Sequence, residues 1–422
     1  MNVQADAKAF LTSIFEAAVA AADPEKTIRK HLPEKPKGRT VVIGFGKGAA
    51  QMAQAFEKVW DGPFEGVVVT RYGYGAPCRI IEVLEASHPV PDENGLNASR
   101  RLMDLVTGLR ADDLVIALVC GGGSALLPAP AGKLSLADEV AVNEALLASG
   151  APISAMNAVR KHVSNIKGGR LAALAHPARV VSLVVSDIPG DNPALVASGP
   201  TVPDGTTRQD ALKIIETYGM KLPDAVIAHL ASDEANAPMP DDALFAAHSV
   251  QVIASAAVSL EAAADASRAK GVPAVILSDA IEGEARDVGG VHAAIAREIA
   301  TRNRPFEKPV LVLSGGETTV TLRAKGKGGR NSEFLLAFAL GVDGLEGIDA
   351  LAADTDGIDG SEDNAGAFAD GLTVVRMRAA GVDAKAMLQG NNAWTAFDAV
   401  DDLFVPGPTG TNVNDLRAIL VR

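Results

Sequence analysis

The feature that most restricts this chain is an alternation, sustained over nearly its whole length, of short β-branched runs that end in glycine with longer alanine-rich stretches of helical period. Strands that alternate with helices are the signature of βαβ units, because parallel neighbours need a crossover that a helix supplies. Strands are expected over 40–43, 66–70, 79–84, 114–119 and 180–185, with helices over 49–59, 135–148 and 154–165. A second set of strands is expected over 250–254, 274–278, 310–314, 319–323 and 350–353, with helices over 259–270, 284–301 and 332–341. Between the sets, the polar, Pro-rich segment 233–242 (DEANAPMPDD) reads as a linker. A chain of 422 residues exceeds what one hydrophobic core organises, so the expected fold class is α/β with two domains, over 1–240 and 241–422, and largely parallel sheets.

Aromatic residues make up 4% of the chain, so its interior has to be built from Ala, Val, Leu and Ile packed as helices on sheets. The formal net charge of −13, without any basic run, argues against a nucleic-acid surface but leaves room for a local basic pocket that takes a small anion. Cys78 and Cys120 are too few for a disulfide framework or a cysteine zinc site, which points to a reducing compartment. Residues 1–32 read as an amphipathic helix carrying Asp6, Glu16 and Asp23, unlike the basic start and apolar run of a signal peptide. No stretch reaches the roughly 20 apolar residues of a membrane span. A cytoplasmic protein without nucleic-acid or membrane partners is expected.

The first segment with chemistry is 41–50 (VVIGFGKGAA), a strand that runs through Gly44 and Gly46 into a helix, with Lys47 between. Such a turn offers backbone N–H groups at the positive end of a helix, and Lys47 adds a mobile cation. The order is not that of a Walker A loop. It does satisfy a loose dinucleotide pattern, Gly44-x-Gly46-x-x-Ala49, but Arg71 stands after the next strand where NAD sites carry an acidic residue, so only an NADP-type site would fit. Close helix–strand packing is the alternative account of the two glycines. The second segment, 120–127 (CGGGSALL), places Gly121, Gly122, Gly123 and Ser124 at a strand end, where three glycines in succession suit the close approach of a triphosphate. Cys120 reads as a small buried residue.

Asp187 and Asp191 in 184–201, and Asp354 and Asp356 in 354–357, lie at strand ends and present hard oxygens suited to Mg²⁺ or, for Asp187, to a base; ordinary turn chemistry is the alternative. In 154–170 (SAMNAVRKHVSNIKGGR), Asn157, Arg160, Lys161 and Ser164 recur at helical spacing and form a polar, basic stripe able to clamp a carboxylate, or else a solvated face. His162 falls off that stripe and reads as structural. An internal echo links 115–125 to 310–319, where Gly315, Gly316 and Glu317 follow a strand, and the tetrapeptide KGGR recurs at 167–170 and 327–330. Taken together the echoes suggest that each half offers strand ends and a basic glycine loop. Arg330 just precedes a helix, where a guanidinium can neutralise a transferring phosphoryl group.

These segments, together with SHPVPDENG at 87–95, SGGETTVTL and GKGGRNSE in 314–333 and DTDGIDG at 354–360, resemble in content and order the glycerate 2-kinase family, some of whose members are called tartrate-utilisation or hydroxypyruvate reductase-like proteins. The resemblance implies a Rossmann-like N-terminal domain, a second α/β domain of the MOFRL kind, an active site in the cleft between them, dependence on ATP and Mg²⁺, and conversion of D-glycerate to 2-phosphoglycerate. It assigns the active-site lysine and arginine to Lys47 and Arg330. The expected site accordingly has Lys47, Arg330 and Asp187 in catalysis, and phosphate contacts from Gly44, Gly46, Gly121–Ser124 and Gly315–Glu317. Glycerate would be held by Asn157, Arg160 and Lys161. The expected partner is the small molecule glycerate, with a homodimer left open. The alternative is an NAD(P)H-dependent hydroxypyruvate reductase, for which no His–carboxylate pair with a substrate arginine is evident.

Overall fold

A computed structural model describes residues 7–422 as two compact units, Pro24–Ile253 and a second made of Ala254–Arg422 with the N-terminal segment up to Asp23. The first six residues of the expected N-terminal helix lie outside the described residues. The rest divides at Asp23–Pro24 into helices Ala7–Ala21 and Pro24–Lys30.

The first unit is a six-stranded sheet of β1 (Thr40–Phe45), β2 (Glu65–Arg71), β3 (Glu82–Ala86), β4 (Leu114–Cys120), β5 (Arg179–Val185) and β6 (Ser249–Ala254), in the order β3-β2-β1-β4-β5-β6. The pairs β2–β3, β1–β2, β1–β4 and β4–β5 are parallel. Alternate residues feed opposite faces, so Val41, Ile43, Val115 and Ala117 pack under helix Glu93–Val106, while Val42, Val68, Ile116 and Leu118 pack under helix Ala49–Val59. Burial on both faces explains why these strands read as unbroken apolar runs.

The second unit contains β7 (Ala274–Ile276), β8 (Gly283–Glu284), β9 (Val310–Gly316), β10 (Thr318–Thr319), β11 (Ile348–Asp354), β12 (Gly366–Asp370), β13 (Leu403–Phe404) and β14 (Asp415–Val421). Strands β8 and β10 form a two-stranded ribbon, and the others a sheet in the order β13-β12-β11-β14-β9-β7. Only β7–β9 is parallel in this sheet, in place of the largely parallel arrangement expected. The reason is β14: the last strand slots antiparallel between β9 and β11, a pairing that needs no crossover helix.

The units differ from the expected 1–240 and 241–422 at both ends. One face of the second sheet is covered by helices Ala285–Arg302 and Arg330–Gly341. The other needs a second helix beside Ala256–Ala269, and Phe10, Leu11, Ile14, Phe15 and Ala18 of the N-terminal helix supply it against Leu260, Ala264, Leu311 and Leu313. Conversely β6, expected to open the second set, joins the first sheet, where Val252 and Ile253 pack on its two cores.

Two expected strands are displaced for one physical reason: a side chain replaces the ladder. The N–H groups of Arg79, Ile80 and Ile81 donate to the Glu57 carboxylate at 2.7–2.8 Å, so pairing starts only at Glu82. The N–H of Thr321 donates to Glu284 and that of Arg323 to Asn391, leaving β10 two residues long.

Candidate functional site

In an open sheet, the strand ends beside a reversal of strand order leave a crevice. Here the order reverses between β1 and β4, and the turns after these two strands are those with the glycine runs. They are bonded to each other: the Lys47 N–H donates to the Gly121 carbonyl at 2.8 Å and the Gly48 N–H to Cys120 Sγ at 3.1 Å. Gly46, at φ 121°, lies so close that a Cβ would overlap the Cys120 carbonyl. Gly122, at φ 79°, has Lys47 Cγ 2.8 Å and His88 Nε2 3.3 Å from the place of its missing Cβ. The corresponding place at Gly121 is taken by the Asp187 carboxylate. Glycine here is what lets Lys47, His88 and Asp187 close on one turn.

Gly44 has a different task. It lies within β1, where Val68 Cγ1 would stand 2.7 Å from a Cβ, so strand packing alone requires it. Gly123 likewise packs on Ala197. The amides of Lys47, Gly48 and Ala49 are spent inside the turn, the last on the Gly46 carbonyl at 3.2 Å, so positive charge at this point comes from side chains more than from the backbone expected to supply it. Among the described residues the Lys47 ammonium has neither ion-pair nor hydrogen-bond partner. Cys120 is inert: burial pushes its thiol up to about 12.

Ser124 leads into a polar chain. Its hydroxyl lies 2.8 Å from that of Ser198, which donates to Asn157 Oδ1 at 2.9 Å, so Ser124 is left as the donor of the first bond. Arg160 Nη1 donates to the same Asn157 oxygen at 3.2 Å, and its Nε to Asn143 at 2.9 Å. Ala197 and Ser198 hold φ of 53° and 63°, strain of about 1–3 kcal/mol per residue that persists only where surroundings enforce it. The structure thus joins Asn157 and Arg160 to Ser124. It does not bring Lys161 to them: Lys161 is buried in an ion pair with Asp204. Ser164 lies beyond the end of helix Ile153–His162, and His162 bonds the Ala235 and Thr206 carbonyls, a structural role as expected. Asp191, at φ 51°, belongs to the turn Pro189–Asp191.

In the second unit, the ends of β9 and β11 meet the start of β14 at the first turn of helix Arg330–Gly341. Arg330 is clamped by three carboxylates: Nε to Asp415 at 2.7 Å, Nη1 to Glu317 at 3.0 Å and Nη2 to Asp354 at 2.6 Å. Burial alone would lower its pKa, but Asp415, Asp354 and Glu317 hold it above the usual arginine value. Asp415 also accepts from Asn331 Nδ2 at 2.8 Å and from Arg417 Nη2 at 2.6 Å. Asp359 takes the N–H groups of Asn331 and Ser332 at 2.9 and 2.8 Å, anchoring the helix start, and burial pushes its carboxyl up to about 6. Burial, with Asp415 and Asp356 nearby, holds the Asp354 carboxyl well above the usual range despite Arg330.

Gly315 and Gly316 lie inside β9 and pack against the 278–281 segment, the Gly315 N–H being spent on the Ser278 carbonyl at 2.8 Å. A cavity of about 820 Å³ opens beside them, lined among others by Glu317, Thr318, Leu322, Gly328, Arg330 and Asn391. The KGGR echo is not one of function. Lys167 is buried on Glu139 and the Leu127 carbonyl and Arg170 bonds backbone carbonyls, whereas Lys327 lies over the Trp394 ring and Arg330 enters the carboxylate clamp.

The four acidic candidates fall in different units, and among the described residues no three His, Cys, Asp or Glu gather as a metal cluster. Asp354 is committed to Arg330 and to the Asp356 N–H, and Asp356 to the Ile358 N–H, so that pair is a turn. Asp187, against the glycine turn, has the chemistry of a single carboxylate that shares Mg²⁺ with phosphate oxygens. Sequence reasoning missed Asp415 and Arg417. Their signal was an acidic and a basic residue two apart in the terminal apolar run 415–421, one face of a strand.

Comparison with known proteins accords with this architecture. Residues 10–231 match a family model described as "Domain of unknown function (DUF4147)", and residues 310–415 match the MOFRL family. A protein of Agrobacterium vitis named "Putative hydroxypyruvate reductase" is 51% identical over 98% of this chain and 94% of its own. The glycerate 2-kinase of Pyrococcus horikoshii is 40% identical over 96% of this chain and 95% of its own. The crystal structure of a glycerate kinase from Thermotoga maritima superposes with a TM-score of 0.90 at 37% identity, covering 98% of this chain and 99% of that one. Likeness at this identity over nearly the full length, in sequence and in fold, places the chain in the glycerate kinase family.

Proposed function

We propose that the chain is a glycerate 2-kinase, transferring the γ-phosphoryl group of ATP to the 2-hydroxyl of D-glycerate to give ADP and 2-phosphoglycerate. The observation that carries this reading is Lys47: an ammonium without a partner among the described residues, packed on the Gly121–Ser124 turn at the reversal of strand order. That order, 3-2-1-4-5-6, supports a Rossmann-like first unit. The names of full-length relatives supply the substrate.

Phosphoryl transfer asks little of a protein beyond positioning and charge stabilisation. Of its two expected cations, Arg330 is already held by three carboxylates, so Lys47 is the one free to meet negative charge on the phosphates. Ser124 stands on the same turn with its hydroxyl proton given to Ser198, and Asn157 and Arg160, joined to it through Ser198, hold the carboxylate of glycerate. Asp187 stands where it would hold Mg²⁺, which when bound neutralises phosphate charge, or would take the proton of the 2-hydroxyl. Two free cysteines, Cys78 and Cys120, suit a cytoplasmic enzyme.

The test is ADP release with D-glycerate and Mg²⁺, with enolase added to convert the product if the phosphate is on the 2-hydroxyl. A second reading, an NAD(P)H-dependent hydroxypyruvate reductase, is favoured by Arg71 at the end of β2. NADPH oxidation by hydroxypyruvate, with no ADP release from glycerate, would replace the kinase reading.

A further inference from the structure

Arg71 and His88 enter neither the expected site nor the catalytic account, yet the fold brings both to Lys47. Lys47 follows β1, Arg71 ends the adjacent β2, and His88 lies two residues beyond the end of β3, so the three occupy the same edge of three neighbouring strands. The hydroxyl of Thr70, next to Arg71, donates to the Lys47 carbonyl at 2.9 Å, and the Tyr72 N–H donates to the Ala86 carbonyl at 3.2 Å, which ties the three strand ends together. Lys47 Cγ and His88 Nε2 both lie within 3.3 Å of the point where a Gly122 side chain would start.

In a chain whose net charge is −13, most buried or half-buried cations have found a carboxylate, as Lys161, Lys167, Arg286 and Arg330 show. Lys47, Arg71 and His88 form no ion pair among the described residues, and the acidic group beside the Gly121–Ser124 turn, Asp187, packs against Gly121 rather than pairing with them at ion-pair distance. Arg71 stacks its guanidinium 3.4 Å from the centre of the Tyr74 ring, which fixes the plane but satisfies no N–H, and its Nε is buried without a hydrogen-bond partner. Buried donors of that kind are rare in native proteins and ask for an explanation. The His88 imidazole is held below its ordinary pKa by burial first and then by the nearby charges of Lys47 and Arg71, which favours its neutral form.

We propose that Lys47, Arg71 and His88 form a side-chain subsite for the phosphate chain of a nucleotide at the carboxyl ends of β1, β2 and β3. Two cations, Lys47 and Arg71, placed together without ion-pair partners repel each other, and a ligand with several negative charges offsets that repulsion where a single carboxylate would leave charge unneutralised, while the neutral His88 imidazole adds a hydrogen bond. The choice of a nucleotide rests on the kinase reading, but the subsite is defined by binding and not by turnover.

The experiment is calorimetric titration of the full chain with ADP and with inorganic tripolyphosphate in the presence of EDTA, beside the melting temperature of each variant. Arg71→Gln should weaken both ligands about tenfold or more, as loss of charge-assisted bonds does, with the melting temperature unchanged or raised. His88→Gln should weaken them several-fold, and Arg71→Lys should recover most of the loss. Affinities of Arg71→Gln within twofold of wild type would overturn the proposal. So would an effect confined to the KM for D-glycerate, or a loss of NADPH binding with ADP binding intact. A wild-type protein that binds ADP through these residues yet fails to phosphorylate glycerate supports the subsite and refutes the kinase reading.

Discussion

Asp415→Asn should cost the second unit about 3–5 kcal/mol, the range for removing one partner from a buried ion pair. The Asp415 side chain is fully buried and serves two arginines, Arg330 through Oδ1 at 2.7 Å and Arg417 through Oδ2 at 2.6 Å, besides the Asn331 amide. Asparagine keeps the volume but supplies one acceptor and turns an NH₂ towards one of these cations. Arg330 retains Asp354 and Glu317. Arg417, itself 0% exposed, is left with the Gly315 carbonyl at 3.2 Å and the Thr318 hydroxyl at 3.3 Å and loses its paired charge. The control is Glu317→Gln, which breaks a bond to the same Arg330 at a carboxylate whose side chain is 56% exposed, where solvent screening limits the cost to about 1 kcal/mol. Scanning calorimetry is the assay, because two units can unfold separately and a single urea midpoint would blur them. At roughly 2–4 °C per kcal/mol for a unit of this size, Asp415→Asn should lower its transition by about 6–20 °C and Glu317→Gln by less than about 4 °C. An Asp415→Asn transition within about 2 °C of wild type, or equal damage from both variants, would refute the view that one buried carboxylate organises this sheet end.

Three further outcomes are expected. Lys47→Ala should lower kcat about 10²–10³-fold, as loss of one charge-stabilising donor does, and leave the melting temperature nearly unchanged because Lys47 makes no ion pair among the described residues. Gly46→Ala should destabilise the first unit by about 2 kcal/mol or more, read by chemical denaturation, since φ 121° and the Cys120 carbonyl both exclude a Cβ. His292, whose Nδ1–H donates to the Val288 carbonyl while Nε2 accepts from the Ser314 hydroxyl, is pushed by burial from 6.5 down to about 4. Its folded value lies below the unfolded one, so its contribution is complete above about pH 6.5 and is lost as pH falls through 4. The melting temperature of wild type should therefore fall more steeply over that window than that of His292→Gln, and parallel profiles would count against the assignment.

What could be read beforehand, and what could not, separates along one physical line. Strands β1 and β4 and helix Ala49–Val59 were legible because burial on both faces leaves an unbroken apolar run followed by a 3.6-residue period. The turns at Gly46 and Gly122 were legible because a positive φ selects glycine whatever surrounds it. Strand β14 was not, since Asp415 and Arg417 interrupt its apolar pattern, and only their mutual pairing makes their burial tolerable. The two KGGR segments make the same point from one string of letters. Lys167 meets Glu139, 28 residues away, and becomes framework, while Arg330 meets Asp415, 85 residues away, and becomes the centre of a charge cluster. Backbone requirements are local and show in the residue type, but the fate of a charge depends on a partner that only the tertiary fold delivers. The same holds for the absence of a partner: the sequence marks Lys47 by its glycine turn and Arg71 by its place after the second strand, but only the tertiary fold shows that three strand ends bring both to His88 with no ion pair among the described residues.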